Sequence, residues 1–277
     1  MSDIVILGAA RTPVGSFLGG LAPLTAPQLG AIAIKCALER AHVAPDQVDE
    51  VFMGNVIQAG VGQAPARQAS LGAGIPNSVP CTTVNKVCGS GLKSVMLATT
   101  QIIAGEARLV VAGGMESMSN APYLMRGART GLSLGEHNLE DVNLTDGLMD
   151  AYGHGHMGLG GELVAEQCGL SRGDQDRFAL GSYQKALAAQ KAGAFDAELV
   201  YVEVPGRKGA VTIVERDETP RDTSLEALAK LQPAFKAGGT ITAGNASKLN
   251  DGGAAVIVAS AERAGELGAK PIARIVA

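Results

Sequence analysis

"CTTVNKVCGSGLKSVMLATTQIIAGEARLVVAGGMES", residues 81–117, decides how the rest of the chain is read. Residues 81–87 read as an extended segment and 89–106 as a helix. Residues 107–117 read as a buried strand that ends on Gly113 and Gly114. Leu92, Val95, Met96, Thr99 and Ile103 fall on one side of the helix. Strand, helix and strand, with the strands apolar throughout, point to a sheet covered by helices on both faces.

The same alternation continues on either side. Residues 3–11, "DIVILGAAR", read as a buried strand and 26–41 as a helix with Pro27 in its first turn. Residues 48–57 read as a strand and 64–74 as a short helix ending at glycine. After residue 117 the character changes: 118–160 are rich in Gly, Asn, Met and Ser with weak periodicity. Helices are predicted at 159–168, 171–191 and 224–231, with Ser171 and Asp174 as an acidic relative of a capping box. A polar hairpin and loop are predicted around 205–222. Strand and helix return at 251–269, and 270–277 begin one more strand. The expected organisation is an α/β domain from 1–117 and 251–277 with an insertion at 118–250.

Composition limits the function classes. The chain has 277 residues, 46% hydrophobic and 18% charged, enough for a substantial core. A net charge of −4 argues against nucleic acid as the main partner. Aromatics make up 3%, with no Trp, and 37 residues are Gly, so the core must rest on aliphatic side chains and close backbone approach. No apolar run of membrane-spanning length and no leader pattern is read, and Cys36, Cys81, Cys88 and Cys168 form no CxxC pair. A cytoplasmic protein with reduced thiols, no membrane and no bound metal is expected.

Cys88 sits where the extended segment meets the helix. Unpaired N–H groups and the positive end of the helix dipole favour a thiolate there. Gly89 and Gly91 admit close approach, and the turn can offer N–H donors to an oxyanion. A small buried structural cysteine fits the same spacing. Cys36 and Cys168 read as packing residues, and Cys81 reads either way. A nucleophilic thiol needs a base. Of His42, His137, His154 and His156, the last two lie in the Gly-rich loop "AYGHGHMGLG" (151–160), where a functional and a solvated role fit equally. "LGAARTPVGSFLGG" (7–20) is neither a dinucleotide fingerprint nor a P-loop. Arg207, Lys208, Arg216 and Arg221 form either a solvated face or a site for a phosphate-bearing ligand.

"AARTPVGSF", "NKVCGSGLKSVMLA", "VVAGGMESMSNAPY", "GHGHMG" and "TAGNASKLNDGGAA" together resemble the thiolase family, most closely its acetyl-CoA acetyltransferases. The resemblance runs from residue 4 to the end. It implies a thiolase-like N-terminal domain, a five-stranded mixed sheet covered by helices, with an inserted, mostly helical loop domain that binds coenzyme A. It also implies a second half carrying a His, an Asn and another Cys, a domain that is absent from this sequence. Carried over, Cys88 matches the residue that becomes acylated, with its own N–H in the oxyanion hole. His156 and Met157 match positions near the thioester, and Ser247 a pantetheine contact. Leu148, Phe235 and Ala243 match apolar groove positions, and Arg221 a basic residue beside the adenine and 3′-phosphate. A serine expected near the adenine is Ala227 here, and Gln63 lies in a stretch near the dimer interface.

The resemblance implies ping-pong acyl transfer between acetyl-CoA or acetoacetyl-CoA and coenzyme A. The coenzyme is substrate, and no cofactor is bound permanently. A homodimer or tetramer is expected, with a missing C-terminal half as a further partner and little activity from this chain alone. Two alternatives share the fold: a non-catalytic CoA- or lipid-binding protein, and another condensing enzyme such as a ketoacyl synthase. The "GGMESMSNAPY" and "NASKLNDG" motifs argue against the ketoacyl synthase.

Overall fold

The computed structural model describes residues 3–276, apart from the side chain of Arg207. Its strands along the chain are β1 (Ile4–Arg11), β2 (Gly15–Ser16), β3 (Glu50–Gly54), β4 (Cys81–Val84), β5 (Leu109–Ser117), β6 (Tyr123–Leu124), β7 (Glu140–Asp141), β8 (Val202–Pro205), β9 (Val211–Val214), β10 (Asn250–Ser260) and β11 (Ala273–Ile275). The helices are α1 (Ala26–Ala41), α2 (Pro65–Gly72), α3 (Ser90–Ala104), α4 (Met157–Gln167), α5 (Arg172–Lys191), α6 (Leu225–Ala229) and α7 (Ala261–Glu266). The chain divides into two compact units. The first is Met1–Asn120, Asp196–Arg216 and Asn250–Ala277, and the second is Ala121–Phe195 and Asp217–Leu249.

The first unit is built on one mixed sheet in the order β11-β1-β10-β5-β3-β4, with β2 paired to β10. β1, β10 and β5 run antiparallel, while β5, β3 and β4 run parallel. The expected five strands are present. β11, within the further strand read at 270–277, and the short β2 bring the sheet to seven.

Successive residues of each central strand serve opposite faces. Leu109, Val111 and Met115 of β5, with Ala255, Ile257 and Ala259 of β10, join one core with Ala33, Ile34, Ala37 and Leu38 of α1. Val110, Ala112 and Val258 join the other with Ala98 and Ile102 of α3. Both faces are dry, so the strands carry no polar alternation.

Helix α3 seats on the sheet through its smaller side chains. The stripe it lays on the sheet is Ser90, Ser94, Ala98 and Ile102, and small residues there allow a close approach. Leu92, Met96 and Ile103 lie on its exposed side at 70%, 48% and 54% exposure. Val87–Ala104 is also apolar and long enough to cross a membrane by composition alone, with a mean hydropathy of 1.2, although no such run was read from the sequence. Its buried stripe makes it a sheet-covering helix.

The hairpin β8–β9 was placed in the insertion from its sequence, yet it groups with the first unit. Val202, Val204 and Val214 share a core with Leu21, Leu24 and Leu29. The Arg40 guanidinium donates to the carbonyls of Ala9, Glu198 and Leu199 at 3.0, 2.9 and 2.6 Å. Arg11 Nε adds a bond to Glu198 at 2.7 Å.

The regular structure of the second unit is mainly helical. It holds α4, α5 and α6, the small ladder β6–β7, and a π-helical turn at Asn143–Leu148. Ser171 and Asp174 form the anticipated capping box on α5.

Candidate active site

Strands β3 and β4 run parallel and end at Gly54 and Val84. In open parallel sheets, ligands gather at these carboxyl ends. The chain leaves β4 through Asn85, Lys86 and Val87 and reaches Cys88, one residue before Gly89, which caps α3. Val87 has φ = 48°, in the left-handed region. For a β-branched residue this backbone costs about 1–2 kcal/mol and needs support from its surroundings.

The support is local. The Asn85 side-chain oxygen accepts the Val87 N–H at 3.0 Å. Buried Ser90 accepts the Lys86 N–H at 2.9 Å and donates to the Val87 carbonyl at 2.6 Å. The N–H groups of Gly89 and Ser90 close onto the carbonyls of Lys86 and Val87, each at 3.1 Å. This turn holds Cys88 exposed at the positive end of a 15-residue helix. The thiol is therefore open to solvent and is not part of either core cluster.

Behind the turn lies Glu116, near the end of β5. Its carboxylate accepts from Asn55 Nδ2 at 2.7 Å and from the N–H groups of Val56 and Ile57 at 2.9 and 3.2 Å. Burial pushes this carboxyl up from 4.5 to about 7, against the lowering effect of those three donors. Between these values the folded chain holds a proton that the unfolded chain has released. The stability contributed by Glu116 is therefore complete below pH 4.5 and is lost as pH rises through 7. Urea denaturation should show the chain losing on the order of 2 kcal/mol between pH 5 and pH 8 from this group. Glu116→Gln should flatten that part of the profile; an identical slope in the variant would contradict the assignment.

The second unit presents its own cluster. His156 caps α4, its Nδ1 accepting the Gly158 N–H at 2.9 Å. With Nδ1 used as an acceptor, the neutral ring carries its proton on Nε2, which makes it a donor. The ring stacks on Phe235, with centroids 4.6 Å apart and planes 19° apart. Gly158 allows this, because a Cβ there would come within 2.3 Å of the Phe235 ring. The loop before it is tied by the Asp150 carboxylate, which accepts the Tyr152 and His154 N–H groups at 2.9 and 3.1 Å. Those donors hold the Asp150 carboxyl below its ordinary value, with the bond from His154 foremost.

The "TITAGNAS" segment (240–247) is held down by two buried carboxylates. Glu162 of α4 accepts the N–H groups of Thr240 and Ile241 at 2.9 Å. Burial pushes its carboxyl up, and these donors outweigh that effect to leave it below the usual range. Asp176 of α5 accepts from Arg172 at 2.8 Å and from Asn245 at 3.0 Å. Tyr183 donates to the Gly244 carbonyl at 3.0 Å. The Arg221 guanidinium lies 5.6 Å above the Tyr183 ring and reaches the Ala243 carbonyl at 3.5 Å. Arg221, Ala243 and Ser247 are exposed on this segment's surface.

The structure thus joins His156 to Phe235 and Arg221 to Ala243. Met157 is exposed in the first turn of α4, and half-buried Leu148 closes the π-helical turn. Met149, the next residue, bridges His156. The basic group read from sequence is divided. Lys208 and Arg216 belong to the first unit and Arg221 to the second, while the Arg207 side chain lies outside the described residues. Cys168, read as a packing residue, is exposed. Asn85, Ser90, Glu116 and Tyr183 were not singled out from sequence. A carboxylate inside the apolar run "VVAGGMES" was the available signal for Glu116.

Residues 4–262 match the family model described as "Thiolase, N-terminal domain". The chain belongs to the thiolase family. It is 55% identical over 276 residues to the acetyl-CoA acetyltransferase of Cupriavidus necator and 52% identical to that of Pseudomonas aeruginosa. Each match covers 99% of this chain and 70% of the relative. A solved acetyl-CoA acetyltransferase from Syntrophomonas wolfei is 40% identical and superposes with a TM-score of 0.96, covering 100% of this chain and 69% of that one.

Proposed function

We propose that this chain is the acyl-accepting part of an acetyl-CoA acetyltransferase, with Cys88 as the residue acylated. The strained, hydrogen-bonded turn that presents Cys88 at the start of α3 carries this reading. In the cleavage direction the Cys88 thiolate attacks the 3-keto carbon of acetoacetyl-CoA. The bond between C2 and C3 breaks, acetyl-CoA leaves after its carbanion is protonated, and an acetyl-cysteine remains. A second coenzyme A displaces the acetyl group and frees the thiolate. The reverse sequence condenses two acetyl-CoA. Either way the carbonyl oxygen gains charge beside the N–H groups at the start of α3.

His156 acts as a donor toward the thioester, with Phe235 as its stacking support and Met157 beside it. Leu148, Ala243 and Ser247 line the pantetheine end, and Arg221 meets the phosphate-bearing end of coenzyme A. The likeness of the relatives named above supports these roles. No permanently bound cofactor and a cytoplasmic location belong to the same proposal.

The base that takes the Cys88 proton is proposed to lie in a further half, as in the family. With Nδ1 engaged by α4, the neutral His156 ring is a donor, which argues against it as a substitute. The exposed side of α3 suits burial against such a half or a second copy. Assayed alone for CoA-dependent cleavage of acetoacetyl-CoA, the 277-residue chain should turn over well below about 1 s⁻¹. A rate at or above that would overturn the incomplete catalytic set.

A further inference from the structure

Glu116 holds more than its own burial requires. Its three donors all come from residues 55–57, the turn that follows β3. The Asn55 side chain is pinned a second time, donating to the Met115 carbonyl at 3.2 Å. The Asn55 main-chain N–H donates to the Val84 carbonyl at 3.0 Å, on the last residue of β4. Asn85, the next residue, also reaches back to the Val56 carbonyl at 3.4 Å. Its side-chain oxygen is the group that fixes Val87 in the left-handed region. An unbroken series of bonds therefore runs from the Glu116 carboxylate through the 55–57 turn and Asn85 to the residue before Cys88.

We infer that Glu116 is a positioning residue for Cys88: it clamps the 55–57 turn to the end of β4 and so fixes Asn85, which holds the strained Val87 turn. The inference rests on the reading of Cys88 as the acylated residue. Three donors converging on one carboxylate explain why the residue is acidic. A glutamine offers one acceptor oxygen and turns its NH₂ toward other donors. Without the clamp, Val87 relaxes to negative φ and Cys88 leaves its exposed place at the start of α3.

The test is the iodoacetamide alkylation rate of each cysteine in the full chain, read by mass spectrometry. Glu116→Gln and Asn85→Ala are each expected to slow Cys88 at least threefold, with half-buried Cys36 slow throughout as a check on the fold. Because the two residues act through one route, the double variant should be no slower than the slower single variant. Unchanged Cys88 rates, or effects that multiply, would overturn the clamp. If Glu116→Gln exposes Cys36, then Glu116→Asp, which keeps the charge but shortens the reach, takes its place with the same expected slowing. Failure of the underlying reading looks different: the unaltered chain would take no acetyl group from acetyl-CoA at Cys88, whatever the alkylation rates.

Discussion

Incubated with millimolar acetyl-CoA, the unaltered chain should acquire one acetyl group, on Cys88, and Cys88→Ala should acquire none. Mass spectrometry of intact chain and of its peptides reads both results. The expected loss is complete because Cys36 is half-buried, with burial pushing its thiol up and so disfavouring the thiolate. Cys168 is exposed but caps the C-terminal end of α4, away from a helix N-terminus. Cys88 alone has exposure and a helix N-terminus together. Acetyl on Cys168 or Cys36 in place of Cys88 would remove the basis for assigning the nucleophile. Cys88→Ser should lie close to Cys88→Ala, since an unaided hydroxyl is a far weaker nucleophile than a thiolate.

Gly54→Val is expected to have the next largest effect, on both stability and the site. A Cβ at Gly54 would stand 2.7 Å from the Ser90 Cβ, 2.8 Å from the Ser90 carbonyl carbon and 2.9 Å from the Gly91 nitrogen. Two of those three atoms are backbone and cannot swing aside, so the start of α3 must lift off the sheet. Overpacking of this kind costs about 3 kcal/mol. Ser90, moved with it, would release Lys86 and Val87, so Cys88 acetylation should fall at least tenfold. Guanidinium denaturation and acetylation kinetics check the two halves. Gly265→Ala is the control, because a Cβ there meets nothing within 4 Å and α7 should tolerate or welcome it. A Gly54→Val chain as stable and as reactive as the parent would mean that α3 is not seated through this glycine.

The sheet was legible because strands buried on both faces read as uninterrupted apolar runs, and "LVVAG" and "AAVIVAS" left little choice. The seating of α3 on the sheet was not legible, for a related reason. Its sheet-facing stripe is Ser90, Ser94 and Ala98, small residues chosen for close approach, and hydrophobicity cannot reveal them. The larger apolar residues on the opposite side drew the eye. The β8–β9 hairpin was misassigned because its partners, Leu21, Leu24 and Leu29, lie more than 150 residues away. At the site, Cys88 was visible as a residue type at a helix start. The positive φ of Val87 and the reach of Glu116 to residues 55–57 were not, since both depend on how three strands end side by side.

One feature of the sheet bears on how the molecule is made. Strand β10 lies between β1 and β5, and pairs residues 4–11 with 254–260. On the ribosome, β1 emerges hundreds of residues before its neighbour exists. A nascent chain of 249 residues already contains β1, β3, β4 and β5, yet β1 and β5 offer open edges to any strand nearby. Closing a loop of that span is slow, and the waiting species is prone to aggregate. Synthesis therefore delivers the strand between β1 and β5 only after β1, β3, β4 and β5 have been exposed, a stage at which chaperones or slow translation would have most to protect.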